Sequence, residues 1–246
     1  MNKKKKIIAI LQPGFLPWLG FFEQMEVADI FVYLDDVQYT KQDWRNRNYI
    51  KANGAKTLLT VPVGKVPSDT MLRDVNISKD PKWANKHINL IQNAYRKSAF
   101  FGEVFDGLKS IYQKPTDDLV SFDLELTEYL CQHMGVSTPI SFASNAPKTT
   151  DDKNLRLIEI CKFFDADVFY DGKAAKDFID IGLFKKSGID VIFQDYQHPE
   201  YTQLGDKFIP YMSALDLVFN EGPSSLDIIL SSPRPSILVR DQMDAA

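Results

Sequence analysis

The sequence predicts an α/β protein with an open, mostly parallel, Rossmann-like sheet and a helical insertion. A strand–helix–strand pattern lies near the start of the chain, and a second one follows residue 150. Each such unit brings parallel strands together, so a pair of units favours a doubly wound sheet. Helical patterns without a strand separate the two units. We therefore expect residues 1–246 to form one domain, with residues 82–135 as a helical insertion or subdomain.

The first unit starts with residues 7–11, a continuous apolar run typical of a strand that is buried on both faces. Pro17 suits the first turn of a helix, and apolar residues then recur at helical spacing as far as Ala28. Residues 29–34 return to a strand pattern. The second unit is predicted as a helix at 154–164, a strand at 167–170, a helix at 174–186 that ends before Gly188, and a strand at 189–193.

The segments outside these units have weaker patterns. Three helices are predicted between the units, at residues 83–96, 101–112 and 119–134. Residues 58–63 and 75–77 have strand patterns and are expected to form a small ribbon. The chain after Gly222 contains Ser-Ser and Pro-Arg-Pro, so we expect it to be irregular.

The composition is that of a soluble globular protein. Hydrophobic residues make up 44% and charged residues 25%, and the net charge of -4 gives no reason to expect a DNA partner. The apolar run at residues 7–11 is too short for a signal peptide, and no stretch approaches the ~18 residues of a membrane span. We therefore expect a cytoplasmic protein. Cys131 and Cys161 lie in apolar, helix-like stretches and are expected to be buried free thiols, and no metal site is expected.

The densest polar and aromatic segment follows the second predicted strand, at the sheet edge where ligands bind in doubly wound proteins. Asp35 and Asp36 can accept a proton, bond sugar hydroxyls or hold a metal ion. Arg45 and Arg47 can bind phosphate, and Trp44 can stack on a base or sugar. The structural alternative is a polar turn with one ion pair and a buried indole.

Two further segments are expected at the same edge. The turn at residues 12–15 can receive an anion at its backbone N–H groups, although without a multi-glycine loop a plain strand-to-helix turn is favoured. His198 follows the last predicted strand and can act as a general base near neutral pH. The alternative for His198 is a hydrogen-bonded structural histidine. Standard hydrolase, kinase and zinc-enzyme motifs are absent from the sequence.

Taken together, seven segments resemble the WbqC-like protein family along nearly the whole chain: residues 12–20, 28–32, 35–39, 43–48, 60–63, 196–203 and 213–220 with Gly222. The resemblance implies a role in the biosynthesis of O-antigen (the outer part of lipopolysaccharide) or a related glycan. On these segments we expect Asp35, Asp36 and His198 to be catalytic. The expected substrate- and phosphate-binding residues are Gln12, Trp18, Gln38, Trp44, Arg45, Asn46, Arg47, Tyr201 and Gln203.

The first unit is also similar in layout to adenylate-forming enzymes of the nucleotidylyltransferase type, such as pantothenate synthetase. Those enzymes carry His-x-Gly-His at the start of the first helix, where this chain has Trp18-Leu19-Gly20-Phe21. The glycine is kept, but aromatic residues replace both imidazoles, which stabilise phosphate charge in the transition state. Their absence counts against activation by ATP, so the cofactor stays open between ATP with magnesium and a nucleotide that belongs to the sugar donor.

The resemblance leads to three functional hypotheses. The first is an enzyme that transfers an aminoacyl group, such as glycyl, to a nucleotide-linked amino sugar, with an ATP-activated amino acid or an aminoacyl-tRNA as donor. The second is a glycosyltransferase-like enzyme in which a metal ion at Asp35 and Asp36 holds a sugar nucleotide. The third is a non-catalytic protein that binds a nucleotide sugar or acts as a scaffold. The sequence leaves the oligomeric state open.

Overall fold

A computed structural model describes residues 4–114 and 116–238 of the chain. The strands are β1 (Ile7–Leu11), β2 (Ile30–Tyr33), β3 (Arg47–Ala52), β4 (Ala55–Thr60), β5 (Ile140–Phe142), β6 (Val168–Asp171) and β7 (Asp190–Phe193). The helices are α1 (Leu19–Val27), α2 (Lys82–Tyr95), α3 (Phe101–Gln113), α4 (Leu119–Met134), α5 (Lys153–Phe163), α6 (Ile181–Lys186), α7 (Ala214–Glu221) and α8 (Ser225–Leu230).

The central sheet has five strands in the order β5-β2-β1-β6-β7, and every pair is parallel. The predicted α/β class with an open parallel sheet is therefore confirmed. From the centre, the chain passes to β2 on one side of β1 and from β6 to β7 on the other side. This reversal makes the carboxyl ends of β1 and β6 the switch point of the sheet, where doubly wound proteins bind their ligands.

Alternation along β1 divides the core between the two faces of the sheet. Ala9 belongs to a cluster that includes residues of α1, α2, α3, α4 and α7, whereas Ile8 belongs to a cluster with residues of α5 and α6. The side chains of Ile7–Ile10 in β1 are buried on both faces of the sheet, which explains the continuous apolar run. Cys131 and Cys161 are buried free thiols, as predicted. Within the described residues, no helix is long and apolar enough to cross a bilayer.

Several local predictions were wrong. The predicted helix at 174–186 is a 3-10 helix at Lys173–Asp177 followed by the shorter α6, because Asp180 caps a new helix by accepting a hydrogen bond from Leu183 N. The small ribbon is the hairpin of β3 and β4, and residues 75–77 contribute only an isolated bridge. The segment after Gly222 is not irregular, since it contains α8.

Candidate functional site

A cavity of about 400 Å³ lies at the carboxyl end of β1. Apolar and aromatic residues form most of its lining, and the polar side chains are few. Trp44 and Tyr211 remain more than half exposed at this cavity, with exposed fractions of 52% and 57%. The full lining is Leu11, Gln12, Gly14, Phe15, Pro17, Trp18, Phe21, Gln24, Trp44, Arg45, Asn48 and Tyr211.

Arg45 holds the turn that follows β1. Its Nη1 donates hydrogen bonds to the carbonyl oxygens of Gln12 (3.1 Å) and Pro13 (2.8 Å). A side chain on Gly14 would place its Cβ 3.3 Å from the carbonyl oxygen of Trp44, so the glycine allows the two segments to approach closely. Burial lowers the pKa of the Arg45 guanidinium. The observed contacts of Arg45 are structural, and its binding of phosphate remains a prediction.

Gly20 provides the space for the indole of Trp18. A Cβ on Gly20 would lie 2.3 Å from the Trp18 ring, which is closer than any side chain tolerates. The other side of the indole meets the ring of Tyr196 edge-on, with centroids 5.4 Å apart. The Trp-Leu-Gly sequence at the start of α1 therefore fixes an aromatic ring at the cavity.

A buried polar network lies behind this cavity and connects α1 with β6 and Gln194, the residue after β7. Tyr170 donates its hydroxyl to Glu23, and Gln194 Nε2 donates to the Glu23 carboxylate (2.7 Å) and to the Gly20 carbonyl (2.8 Å). Gln24 Nε2 donates to Gln194 Oε1 (3.0 Å). Burial raises the pKa of Glu23, while its hydrogen bonds from Gln194 and Tyr170 oppose the shift.

His198 is held by hydrogen bonds at both ring nitrogens. Its Nδ1 lies 2.9 Å from the carbonyl oxygen of Pro199, and its Nε2 accepts the backbone N–H of Tyr211 at 3.2 Å. This pair of contacts requires the neutral ring with the proton on Nδ1. Burial lowers the pKa of His198, which favours the same neutral form. The ring thus supports Tyr211 at the cavity, and a role as general base is still a prediction.

A second cavity, of about 480 Å³, is lined by polar residues. It lies at the same edge, beyond the carboxyl ends of β2 and β5. Asp36 is buried there: its Oδ2 accepts a hydrogen bond from Arg156 Nη2 at 2.8 Å, and its Oδ1 has no partner in the described part of the chain. The lining comprises Asp36, Met71, Arg73, Ser144, Asn145, Ala146, Pro147 and Lys148.

Asp35 and Asp36 have separate partners. Asp35 Oδ1 accepts the backbone N–H of Ser144 at 3.0 Å, whereas Asp36 pairs with Arg156. Over residues 4–114 and 116–238, no group of three or more His, Cys, Asp or Glu side chains is placed to hold a metal ion. The two adjacent carboxylates thus bind different partners, and a metal ion held by both remains a prediction.

The other predicted binding residues lie in different surroundings. Tyr201 and Gln203 donate hydrogen bonds of 2.8 Å to Oδ2 of the buried Asp216. Asn46 donates to the carbonyl oxygen of Val61, and Gln38 is exposed on the segment that pairs with Met71. Arg47 begins β3, and its Nε is buried without a partner in the described part of the chain. The structure thus places Gln12, Trp18, Trp44 and Arg45 at the first cavity and Asp36 at the second.

Sequence reasoning missed several polar residues near the switch point. Glu23 and Gln24 are adjacent polar residues in the mostly apolar α1, and both are buried, so this adjacency was the available signal. Asp171 ends β6, and its Oδ1 accepts the N–H of Gly172 at 2.7 Å. Burial raises the pKa of the Asp171 carboxyl to about 7. Arg156 gave no signal, because its partner Asp36 is 120 positions away in the sequence.

Comparisons with known proteins give a consistent picture. The sequence model of the WbqC-like protein family matches residues 12–228. The Mycobacterium tuberculosis protein described as "Uncharacterized protein Rv1507c" is 33% identical over 227 residues, which cover 91% of this chain and 97% of that protein. No solved structure matches the chain significantly.

Proposed function

The chain belongs to the WbqC-like protein family, and from this premise we propose that it is a transferase that forms an amide bond on a nucleotide-linked amino sugar. Membership of the family suggests a role in polysaccharide biosynthesis. The observation that carries the proposal is the presence of two cavities of contrasting chemistry along one edge of the sheet.

The two cavities suit the two halves of such a substrate. The aromatic lining of the first cavity offers stacking surfaces for a planar or apolar group. The second cavity combines the carboxylate of Asp36 with Ser144 and Asn145, which can bond sugar hydroxyl and amino groups. Arg73 and Lys148 lie in the same lining and supply positive charge for phosphate.

In the proposed reaction, the amine of the sugar attacks the carbonyl carbon of an activated aminoacyl group. The new C–N bond forms as the bond from the carbonyl to its leaving group breaks. Asp36 Oδ1 takes the proton that the attacking nitrogen loses, since this oxygen has no partner among the described residues and Arg156 fixes the other one. The leaving group departs with its bonding electrons.

The donor must arrive already activated, because a free carboxylate is a poor electrophile. At the start of α1, the residues beside Gly20 are Trp18 and Phe21 rather than imidazoles, and both line the aromatic cavity. Phe21 has no hydrogen-bond donor in its side chain and Trp18 has only the neutral indole N–H, so neither supplies the positive charge that imidazoles give to the phosphates of ATP, and the residues there do not fit ATP activation. The donor classes we propose are an aminoacyl-tRNA and an aminoacyl adenylate made by another enzyme.

The test is a transfer assay with purified protein, nucleotide-linked amino sugars and both donor classes, with products identified by mass spectrometry. We expect Asp36→Asn to lose transfer, and because it also removes the counter-charge of Arg156, transfer is measured below the melting temperature of the variant. Asp74→Asn changes a nearby exposed carboxylate outside the cavity lining and is expected to retain transfer.

Other outcomes of this assay identify the alternatives. Metal-dependent transfer of the sugar itself would replace the proposal with a glycosyltransferase. Tight binding of the sugar nucleotide without turnover of either donor class would replace it with a non-catalytic binding protein.

A further inference from the structure

We infer that the first cavity is a nucleobase site in which Gln24 accepts a hydrogen bond from an N–H group on the edge of the base. The inference rests on the proposed function, because it assigns the nucleotide part of that substrate to one of the two cavities. It adds the chemical group that is recognised, an N–H on the edge of the base, and the residue that binds this group, Gln24.

The orientation of the Gln24 amide follows from its neighbours. The carbonyl of Gly20 can only accept a hydrogen bond, so the side-chain nitrogen of Gln194 must face it. The side-chain oxygen of Gln194 therefore faces Gln24 and accepts a hydrogen bond from Gln24 Nε2. The Gln24 oxygen is left without a partner in the described part of the chain, although the residue is only 3% exposed.

An unpaired acceptor at this depth indicates a missing donor. Buried side-chain oxygens almost always have a hydrogen-bond partner, and leaving one unpaired costs about 1–3 kcal/mol. Gln24 lines the first cavity, so a molecule in that cavity is in a position to supply the donor. Gln194 engages one N–H of the Gln24 amide nitrogen, and the Gln24 oxygen is the acceptor that is left unpaired among the described residues.

The rest of the lining favours a flat base over a sugar. A sugar needs many hydrogen-bond partners, yet Asn48 already uses its nitrogen on the carbonyl of Leu16 and its oxygen on the N–H of Tyr49. Arg45 Nη1 is engaged by the turn after β1. Trp18 and Tyr211 offer aromatic faces, on which bases stack.

The recognised group is therefore a ring N–H or an exocyclic amino group. Uracil and thymine carry the first kind, adenine and cytosine carry the second, and guanine carries both. A single acceptor distinguishes a base that carries its N–H donor from the same base in which methyl groups replace the hydrogens of that donor. A single acceptor does not distinguish one base from another, so the experiment determines which base supplies the donor.

The test is calorimetric titration of the full chain with matched ligand pairs. The four pairs are uridine diphosphate with its N3-methyl form, adenosine diphosphate with its N6,N6-dimethyl form, cytidine diphosphate with its N4,N4-dimethyl form, and guanosine diphosphate with its N1,N2,N2-trimethyl form. We expect the parent of at least one pair to bind about tenfold more tightly than its methylated partner, the worth of one hydrogen bond to a buried acceptor. The pair that shows this difference identifies the base.

A variant separates the hydrogen bond from simple steric exclusion. In Gln24→Met the parent should bind as weakly as the methylated ligand, whereas a clash of the added methyl group with another residue would preserve the difference. Gln197→Met, the same change at an exposed glutamine outside the lining, should leave the preference intact. The comparison of ligands on the natural chain needs no variant, so it holds even if Gln24→Met does not fold.

Two results overturn the inference. Equal binding of parent and methylated ligand in every pair removes Gln24 as the residue that recognises the base but leaves the transferase proposal standing. Failure of all four parent nucleotides to bind removes the nucleobase site altogether, and the transfer assay then decides on the proposed function separately.

Discussion

Arg156 on α5 donates a hydrogen bond of 2.8 Å from Nη2 to Oδ2 of Asp36, and the two side chains are only 6% and 8% exposed. The same nitrogen donates to the carbonyl oxygens of Ala143 (2.6 Å) and Ala146 (3.2 Å). One guanidinium therefore connects α5, the segment after β2 and the segment after β5. The polar cavity depends on this connection for its shape.

We expect Arg156→Met to lower the free energy of unfolding by about 3–5 kcal/mol, because it leaves the Asp36 carboxylate buried without its counter-charge. Urea unfolding followed by circular dichroism measures the change. Lys173→Met is the matched control, since it breaks an ion pair with Asp195 of similar N···O distance (2.9 Å). Both side chains of this second pair are about two-thirds exposed. The free energy of unfolding of Lys173→Met should equal that of the natural chain within the error of the measurement. Equal losses in the two variants would refute the role of burial.

The sequence predicted the parallel sheet, but of the ion pair between Asp36 and Arg156 it indicated only Asp36 as a residue of the site. Asp36 was placed at the carboxyl edge because it follows a strand pattern, and the position of that edge depends on local periodicity. Arg156 looked like one polar residue of an amphipathic helix, and its partner is set by how α5 packs on the sheet. The hydrogen-bond network around Gln24 could not be predicted from the sequence for the same reason, since it joins residues from α1, β6 and the segment just after β7. Tertiary packing supplies the information that spacing lacks.

A glycine substitution tests how the Trp18 ring is seated. Gly20→Ala adds a Cβ within 2.3 Å of the indole, so we expect a loss of about 1–3 kcal/mol in stability and a shift in tryptophan fluorescence as the ring moves. Gly102→Ala makes the same change at the same second position of a helix, α3, with no atom within 4 Å of the new Cβ. It should leave stability unchanged or slightly raised. An unchanged melting temperature and emission spectrum in Gly20→Ala would contradict the packing described here.

The contacts of Tyr201 predict a role in stability. Tyr201→Phe removes a hydroxyl that donates to Asp216 Oδ2 (2.8 Å), so we expect a loss of about 1–3 kcal/mol in the free energy of unfolding. Tyr49→Phe is the control, because the Tyr49 hydroxyl makes no hydrogen bond within the described residues, and it should unfold like the natural chain. Nucleotide titration of both variants then tests the predicted binding role of Tyr201. A lower nucleotide affinity of Tyr201→Phe than of Tyr49→Phe, measured at a temperature at which both variants are folded, would support that role.

Acid sensitivity should arise in part from His87. Burial lowers its pKa from 6.5 to about 4, against a smaller opposing effect of a hydrogen bond with the backbone of Thr60. The unfolded chain therefore binds more protons than the folded chain between these two values, and stability falls as the pH is lowered through this range. At pH 7 the group contributes no such loss.

In His87→Phe we expect a flatter pH profile, with the difference from the natural chain growing by up to about 1.4 kcal/mol per pH unit below 6.5. Phenylalanine suits the site, because the rings of Phe15 and Trp83 already surround the imidazole at 6.0 and 5.4 Å. Urea unfolding at a series of pH values between neutrality and 4.5 measures the slope. His133→Phe, at a more exposed histidine on α4, should change the slope much less. Parallel profiles for the natural chain and His87→Phe would show that the buried imidazole gains its proton without opposing the fold.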